Sequence, residues 1–226
     1  LGVDVAIGKA KITSPWHVEI TKDDGSKQTL ATRSIVVATG AAPFVPPLPG
    51  LEDVGYLTSD TLWGLREQPK RLVVLGGGPI GCELAQSFAR LGSQVTQIEM
   101  LPRIMIREDE EVSAYARKGL EADGVTILTG HKALRCEKRG DVRTIVVESN
   151  GKETAIEFDT LLCAVGRSAR LKGFGLEELG IPVNKTVQVN EYLETNFPNI
   201  LAAGDVAGPY QFTHTAAHQA WYAAVN

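Results

Sequence analysis

The sequence predicts an α/β fold with a parallel sheet and an added three-stranded antiparallel meander. Three observations predict it. Residues 71–99 run through an apolar strand, a glycine turn, an amphipathic helix and a second apolar strand. Residues 109–128 repeat the order of helix and strand, and strands that alternate with helices form parallel sheets. Residues 133–158 then alternate apolar and polar positions in three runs separated by turn-forming pairs.

Length and composition fit one large or two small globular domains. The chain has 226 residues, of which 43% are hydrophobic, and a formal net charge of -4. Its Lys and Arg residues are scattered, so nucleic acid is not an expected partner. No apolar run reaches the roughly 20 residues of a membrane span, and the first residues lack a signal-peptide pattern. We therefore expect no membrane contact and a cytoplasmic location.

The three cysteines, Cys82, Cys136 and Cys163, are widely spaced and lie in apolar or structured segments. They form neither a CxxC pair nor a metal-ligand cluster. We expect them to be small buried residues.

The first forty residues predict short strands. These are Lys9–Thr13, His17–Ile20 and, after a turn at residues 23–25, Thr29–Ala38. The continuous apolar run at Ile35–Ala38 predicts a strand buried on both faces. The prolines that follow, which continue neither a helix nor a central strand, predict a linker and a domain boundary. They are Pro43, Pro46, Pro47 and Pro49.

The segment Arg71–Glu99 carries the glycine pattern Gly76-x-Gly78-x-x-Gly81. In a dinucleotide-binding βαβ unit the first glycine permits the tight turn, the second lets backbone approach a pyrophosphate, and the third permits close helix–strand packing. The helix N-terminus then faces the phosphates. Its predicted apolar face holds Ile80, Leu84, Phe88 and Leu91, and Gly92 ends the helix.

Glu99 lies at the end of the second strand, where a carboxylate accepts hydrogen bonds from the ribose hydroxyls of a dinucleotide. A 2′-phosphate at this place would meet a negative charge. Met100, Leu101 and Pro102 supply no cation, although Arg103 is near. The sequence therefore predicts a preference for NADH over NADPH.

The remaining elements complete the predicted sheet and add a last helix. Asp109–Glu121 is predicted as a helix, and Asn150-Gly151 is a strong hairpin signal within the meander. The predicted strands are Val125–Leu128, Ala133–Glu137, Arg143–Glu148, Thr154–Phe158, Leu161–Val165, Val187–Val189 and Ile200–Ala203, and the last predicted helix is Thr215–Asn226.

Taken together, these motifs resemble the class I pyridine nucleotide-disulfide oxidoreductases, the flavoproteins that include dihydrolipoamide dehydrogenase and mercuric reductase. The resemblance covers essentially every residue. Its markers occur in family order at residues 38–40, 76–83, 165–167 and 203–205. It implies a Rossmann-like FAD/NAD(P)-binding fold in which an NAD(H)-binding domain, residues 67–186, is inserted into a partial FAD-binding domain, residues 1–66 and 187–226.

The resemblance also implies roles for single residues. Towards NAD these are Gly76, Gly77, Gly78, Pro79, Ile80, Gly81, Cys82, Glu83, Glu99, Ala133 and Gly166. Glu83 resembles the acid near the nicotinamide, while Ala133 and Gly166 resemble backbone contacts to the adenine and nicotinamide ends. Because Glu83 shares a polar helix face with Ser87 and Arg90, a solvated charge is the alternative.

Towards FAD the resemblance implies Ala10, Thr39, Gly40, Ala41, Asp205, Phe212, Thr213 and His214. Ala10 and the Thr39-Gly40 turn resemble contacts to the adenosine, and Asp205 resembles the acid that binds a ribityl hydroxyl. Residues 212–214 resemble the segment that begins the last helix near the flavin ring. A helix-capping acid is the alternative for Asp205. The i, i+4 pair His214 and His218 has no third ligand in view, so we expect no metal site.

The family's dithiol, held as Cys-x4-Cys, is absent from this sequence. The resemblance places that pair, the first FAD-binding glycine turn and a dimerisation domain outside both ends. We therefore expect a piece of a longer homodimeric oxidoreductase, without catalytic residues of its own and inactive alone. The parent would pass hydride from NADH to flavin and then to a disulfide or small-molecule acceptor. The alternative is a stand-alone module that senses NADH without catalysis.

Overall fold

The computed structural model describes residues 2–225. Its strands are β1 (Lys9–Ser14), β2 (His17–Thr21), β3 (Lys27–Ala31), β4 (Ile35–Val37), β5 (Ala41–Pro43), β6 (Leu57–Thr58), β7 (Arg71–Leu75), β8 (Gln94–Glu99), β9 (Thr126–Thr129), β10 (Lys132–Arg139), β11 (Val142–Ser149), β12 (Lys152–Phe158), β13 (Thr160–Cys163), β14 (Arg167–Ala169) and β15 (Ile200–Ala202). Its α-helices are α1 (Leu51–Val54), α2 (Pro79–Arg90), α3 (Glu110–Ala122) and α4 (Thr213–Val225), and short 3-10 helices occur at Leu62–Gly64 and Gly204–Val206.

The chain forms two compact units, of which one interrupts the other in sequence. The continuous unit spans residues 43–167, and the second unit combines the chain before residue 43 with the chain after residue 167. The predicted domains have the same nested order, but the inserted domain was predicted to span residues 67–186. Residues 43–66 belong to the continuous unit because β6 pairs with β13 and α1 packs on the core beneath β10. Residues 168–186 belong to the second unit because Leu176 and Ile181 lie in its core.

The continuous unit contains a five-stranded parallel sheet in the order β6-β13-β7-β8-β9. Successive residues of β7 point to opposite faces. Leu72 and Val74 pack with side chains of α2 and α3, while Val73 and Leu75 pack under the meander. The predicted α/β fold, with a parallel sheet and a three-stranded meander, is confirmed.

The meander consists of β10, β11 and β12 in antiparallel register. Asn150 and Gly151 connect the last two strands with φ angles of 52° and 76°. Two consecutive positive φ angles are what a two-residue hairpin turn of this kind requires. The hairpin predicted from this residue pair is confirmed.

The second unit contains a three-stranded antiparallel sheet, β1-β2-β3, and a parallel pair, β4 with β15. Its core gathers Ile12, Ile35, Val37, Leu176 and Ile200. The pairing of β4 with β15 joins the two sequence segments of the second unit. The paired residues, such as Ile35 and Ile200, are 165 positions apart in the sequence.

The single strand predicted over Thr29–Ala38 is wrong. The chain turns at residues 32–34, where Thr32 Oγ1 donates to the Ser34 carbonyl, and the flanking strands join different sheets. The prediction of burial on both faces is also wrong, because Val36 is 43% exposed between buried neighbours. Alternation of buried and exposed residues shows that β4 packs on one face only.

Two further expectations need correction. Val187–Val189 forms no strand; Val187 makes an isolated bridge to Val183, and its N–H binds the Val206 carbonyl instead. The last helix begins at Thr213 rather than Thr215, and its predicted end, Asn226, lies outside the described residues. The predicted linker after residue 43 is packed in part, since Val45 and Leu48 contact the core of the continuous unit.

Within residues 2–225, no helix combines the length and the apolar character that crossing a membrane requires.

Candidate functional site

The candidate dinucleotide site lies at the carboxyl edge of the parallel sheet in the continuous unit. β7, β8 and β13 run in the same direction in adjacent positions, so their ends meet at one edge. The glycine turn follows β7, Glu99 ends β8, and residues 164–166 follow β13. In open α/β sheets, ligands bind outside this edge.

Close contacts require a glycine at two positions of the turn, Gly76 and Gly81. A Cβ on Gly76, whose φ is 117°, would lie 2.3 Å from the Ala164 carbonyl oxygen. A Cβ on Gly81 would lie 2.3 Å from the Gly76 carbonyl oxygen. Around Gly78 no atom lies within 4 Å of the corresponding point. The tight turn and the close packing predicted for Gly76 and Gly81 are therefore present, and Gly78 leaves open space above the turn.

Helix α2 approaches the sheet through small residues. Gly81, Cys82 and Ala85 are its buried positions, whereas Leu91, predicted to lie on the apolar face, is 68% exposed. A large side chain at the closest point would push the helix away from β7 and β8. Leu84 and Phe88, from the predicted apolar face, are partly buried against the same core, whereas Leu91 follows the last helical residue.

Glu99 binds the glycine turn directly. One carboxylate oxygen, Oε2, accepts the Gly77 N–H at 2.7 Å, and the other, Oε1, accepts the Leu101 N–H at 2.7 Å. A carboxylate offers about four lone-pair sites, so each oxygen keeps capacity for a further donor. The sequence predicted only a ribose contact for Glu99; the structure adds a role in holding the turn.

The second peptide group of the turn directs an N–H outwards. The Gly77 carbonyl accepts the Met105 N–H at 2.7 Å and contacts the Cys82 thiol at 3.5 Å. Because C=O and N–H of a trans peptide point in opposite directions, the Gly78 N–H points away from the protein core.

The first turn of α2 adds further donors. Pro79 has no N–H, and the first i to i−4 bond joins the Cys82 N–H to the Gly78 carbonyl. The N–H groups of Ile80 and Gly81 consequently have no acceptor within the helix. Together with Gly78, they form the donor set expected of an anion site at a helix N-terminus.

Arg103 is engaged by the loop in which it lies. Its guanidinium donates to the carbonyl oxygens of Glu108 at 2.8 Å, Ile106 at 3.2 Å and Met105 at 3.3 Å. The same loop contacts the glycine turn through Met105. The nearest cation to Glu99 in sequence is therefore committed to backbone carbonyls.

Glu83, Ala133 and Gly166, the other candidate NAD residues, lie on three different segments of the continuous unit. Glu83 is the fifth residue of α2 and is exposed. Ala133 is the second residue of β10 and packs against the core under the meander. Gly166 has a φ of 138°, and its carbonyl accepts the Phe44 N–H at 2.9 Å. Gly166 shares the sheet edge with the glycine turn, whereas Ala133 follows the far strand, β9.

The cysteines are buried, as predicted. Burial raises the pKa of Cys163 to about 12 and that of Cys136 to about 11, and burial also raises the pKa of Cys82. The thiolate is the reactive form in disulfide exchange. These thiols therefore stay protonated near neutral pH, so little of the reactive thiolate form is present.

The FAD-type motifs of the second unit meet at the end of its parallel strand pair. Thr39-Gly40 follows β4 and Gly204-Asp205 follows β15, with Val37 registered to Ala202. Thr39 Oγ1 donates to the Arg170 carbonyl at 2.9 Å, and the Gly40 carbonyl accepts the Arg170 N–H at 2.9 Å. Gly40 has a φ of 66°, and no atom lies within 4 Å of the point that a Cβ on this residue would occupy. Ala41, the next residue, is buried.

Gln219 ties helix α4 to this strand end. Its Oε1 accepts the Gly204 N–H at 2.7 Å, and its Nε2 donates to the Gly208 carbonyl at 2.8 Å. Phe212, Thr213 and His214 are exposed at the start of α4, where the rings of Phe212 and His214 stack 5.4 Å apart. Ala10 is exposed on β1, in the other sheet of the unit.

Two residues of these sites carried no signal that sequence motifs use, namely Gln97 and Gln219. Gln97 shares β8 with the polar residues Gln94 and Thr96, and Gln219 follows His218 on α4, so neither amide stands out in the sequence. A polar residue at a core position of an alternating strand could have pointed to Gln97. Within residues 2–225, no three His, Cys, Asp or Glu side chains are grouped so that they could hold a metal ion.

The fold and the glycine turn are those of the Rossmann-like class of α/β proteins, and comparison with known proteins identifies the family. The family model described as "Pyridine nucleotide-disulphide oxidoreductase" matches residues 1–220. The chain belongs to this family. The resemblance inferred from the motifs is confirmed.

Similar proteins include two curated enzymes and one solved structure. A mercuric reductase of Staphylococcus aureus is 36% identical over all of this chain and 41% of its own length. A dihydrolipoyl dehydrogenase of Thermus scotoductus is 38% identical over 99% of this chain and 48% of its own length. The solved structure of the HOCl-induced flavoprotein disulfide reductase RclA from Escherichia coli superimposes with a TM-score of 0.85, at 31% identity, over 98% of this chain and 49% of that one. The chain thus spans about half the length of these relatives.

Proposed function

We propose that residues 43–167 bind NADH and that the second unit contributes to an FAD site, as parts of an FAD-dependent NADH oxidoreductase. The observation that carries the proposal is the glycine turn. Glu99 binds this turn, the N–H groups of Gly78, Ile80 and Gly81 have no acceptor within the helix, and Gly78 has no Cβ that would block a ligand. The family membership and the flavoprotein among the structural relatives support it.

The residues present fit a dinucleotide. The N–H groups of Gly78, Ile80 and Gly81 would receive the pyrophosphate, with the α2 dipole adding positive potential. Glu99, already oriented by two backbone amides, would accept the hydroxyls of the adenosine ribose. Glu83 and Gly166 would lie towards the nicotinamide, and Ala133 towards the adenine.

NADH is preferred over NADPH in this proposal. A 2′-phosphate would be placed against the Glu99 carboxylate, and repulsion between the two anions is not relieved by Arg103, whose guanidinium binds three loop carbonyls. Moving Arg103 to a phosphate would break those bonds.

The second unit fits part of an FAD site. Gly40 and Gly204 have positive φ angles at adjacent strand ends, which lets backbone come close to a ligand. Thr39, Gly40, Ala41 and Ala10 would contact the adenosine part, Asp205 the ribityl chain, and residues 212–214 the flavin ring. Bound FAD would supply hydride acceptance from the nicotinamide and electron transfer to the final acceptor.

In the parent protein, the protein groups position the two cofactors, and the acceptor is a disulfide or another small molecule. The buried thiols of this chain do not supply the dithiol. We propose that the 226-residue chain binds nucleotide but does not reduce a disulfide alone, and that the parent is a homodimer.

The substitution Glu99→Arg tests the nucleotide assignment. It removes the ribose acceptor and introduces a cation. The difference in binding free energy between the two nucleotides is therefore expected to shift in favour of NADPH by about 1–3 kcal/mol, which raises the ratio of NADPH to NADH affinity. Fluorescence titration of the full chain with both reduced nucleotides measures this ratio. Glu67→Gln, at an exposed position outside the site, is the control and leaves the ratio unchanged. An equal ratio before and after Glu99→Arg would refute the assignment.

A further inference from the structure

The side chain of Gln97 is fully buried in the middle of β8. Its Nε2 donates to the Gly76 carbonyl at 3.0 Å and contacts Cys82 Sγ at 3.5 Å. Its Oε1 is the one buried side-chain oxygen or nitrogen, among residues 2–225, that lacks a hydrogen-bond partner. An unpaired buried amide oxygen destabilises a fold, and an apolar side chain of the same size would avoid that cost. Packing alone does not explain a glutamine at this position.

Gln97 and Glu99 hold the two ends of one peptide group. The Gly76 carbonyl, bound by Gln97, and the Gly77 N–H, bound by Glu99, belong to the same peptide unit. Gln97 and Glu99 are two positions apart on β8 and therefore point to the same face of the sheet. One side chain donates and the other accepts, which matches the direction of the peptide dipole.

This peptide group needs external support, because it joins two glycines. Without a Cβ on either side, a Gly-Gly peptide rotates between orientations with little steric cost. Rotation would turn the Gly76 carbonyl towards the Glu99 carboxylate and disturb the following peptide, whose carbonyl binds Met105 and whose N–H points outwards. The outward donors therefore depend on the orientation of the Gly76-Gly77 peptide.

We propose that Gln97 is a positioning residue, which together with Glu99 clamps the Gly76-Gly77 peptide so that the phosphate-facing N–H groups are ordered before a nucleotide binds. The clamp itself rests on the contacts above, and its consequence for binding rests on the proposed NADH function. Two measurements separate the two parts: hydrogen exchange of the Gly77 amide without nucleotide, and the affinity for NADH.

The test compares Gln97→Glu and Gln97→Met with Gln94→Glu in the full chain. Gln94 is the exposed first residue of β8, so Gln94→Glu makes the same chemical change on the same strand outside the clamp. Gln97→Met keeps the length of the side chain but removes the donor. Circular dichroism and melting temperature establish that each variant folds.

The Gln97→Glu variant adds a pH signature. Above its pKa, the introduced carboxylate faces the Gly76 carbonyl and cannot donate; protonated, its hydroxyl can donate and restore the clamp. Cys82 on α2 contacts the Gln97 side chain, and the charges of Glu99 on β8 and Glu83 on α2 act on that thiol. On the flanking strands β7 and β9 the one titratable side chain is Arg71, which is registered to Gln94 at the opposite end of β8.

We expect the Gly77 amide to exchange at least about tenfold faster in both Gln97 variants at neutral pH, and NADH affinity to fall by about tenfold, as for the loss of one buried hydrogen bond. Acidification restores affinity in Gln97→Glu relative to Gln94→Glu, but not in Gln97→Met. Unchanged Gly77 exchange in folded Gln97 variants would overturn the clamp, whether or not NADH binds. Wild-type chain that fails to bind NADH would reject the proposed function, while the exchange rates still decide the clamp.

Discussion

The Glu99 carboxylate links the end of β8 to the glycine turn, because its two oxygens accept the N–H groups of Leu101 and Gly77. Its position at the end of a strand could be predicted from the spacing to Gly76. Its contact with Gly77 could not, since that contact depends on how closely the turn approaches β8: a Cβ on Gly77 would lie 2.9 Å from Glu99 Cγ.

The role of Arg103 could not be predicted from the sequence either. In sequence it is a cation four positions after Glu99, which leaves a 2′-phosphate contact open. In the structure its guanidinium binds three carbonyls of its own loop. Only the path of the loop, which has no regular structure and so no periodic signal, decides between these roles.

The substitution Arg103→Met is expected to weaken binding of NADH and NADPH together. Each hydrogen bond from Arg103 contributes about 0.5–1.5 kcal/mol to the stability of the loop. A less stable loop holds the glycine turn less firmly, because the Met105 N–H binds the Gly77 carbonyl. Calorimetric titration with both nucleotides measures the two affinities. Arg107→Met, an exposed position in the same loop, serves as the control. A selective loss of NADPH binding would show instead that Arg103 is a phosphate ligand.

At the scale of elements, the βαβ unit, the meander and its hairpin could be predicted because each has a local signal. Glycine spacing, alternation and the Asn150-Gly151 pair all act over a few residues. The break between β3 and β4 has no such signal, because it is set by partners far away: Ile35 begins its strand by donating to the Asn199 carbonyl. The same holds for Val187, whose backbone partner is Val206.

Two glycine-to-alanine substitutions in helices are expected to have opposite effects. Gly81→Ala places a Cβ against the Gly76 carbonyl, so α2 must shift; we expect a loss of about 1–3 kcal/mol in the free energy of unfolding and weaker NADH binding. Gly119→Ala lies in open space on α3 and should stabilise by about 0.5–1 kcal/mol. Urea unfolding measures both. Equal effects at the two positions would contradict the close packing of α2.

An ion pair between Arg71 and Asp159 holds the start of β7, and its carboxyl group titrates at acidic pH. Asp159 accepts hydrogen bonds from both the backbone and the guanidinium of Arg71, and these bonds hold the pKa of the Asp159 carboxyl below its ordinary value of 3.8. A lowered pKa in the folded state stabilises the protein above the unfolded value, and this contribution is lost as the pH falls through the folded value.

We therefore expect the melting temperature of the wild type to fall more steeply below about pH 4 than that of Asp159→Asn, which should be less stable at neutral pH. Asp141→Asn, exposed in the turn between β10 and β11, is the matched control and follows the wild-type curve. Parallel curves for the wild type and Asp159→Asn would show that the pair does not contribute.

For the whole molecule, the nested order of the two units was predictable, and their limits were not. The order follows from motifs far apart in sequence that the resemblance assigns to one cofactor, and β4 and β15 do pair. The limits depend on where short segments pack, such as β6 against β13 and Leu176 in the core of the second unit. Such segments carry too few residues for a periodic pattern.

The most direct test of nucleotide binding at the glycine turn is to follow the backbone amide resonances of the full chain during titration with NADH. We predict that the Gly78, Ile80 and Gly81 resonances shift most, together with Leu101 beside Glu99, and that NADPH produces the same shifts only at higher concentration. Absence of shifts at these amides at saturating NADH, or largest shifts elsewhere in the chain, would contradict the claim that the glycine turn binds the dinucleotide.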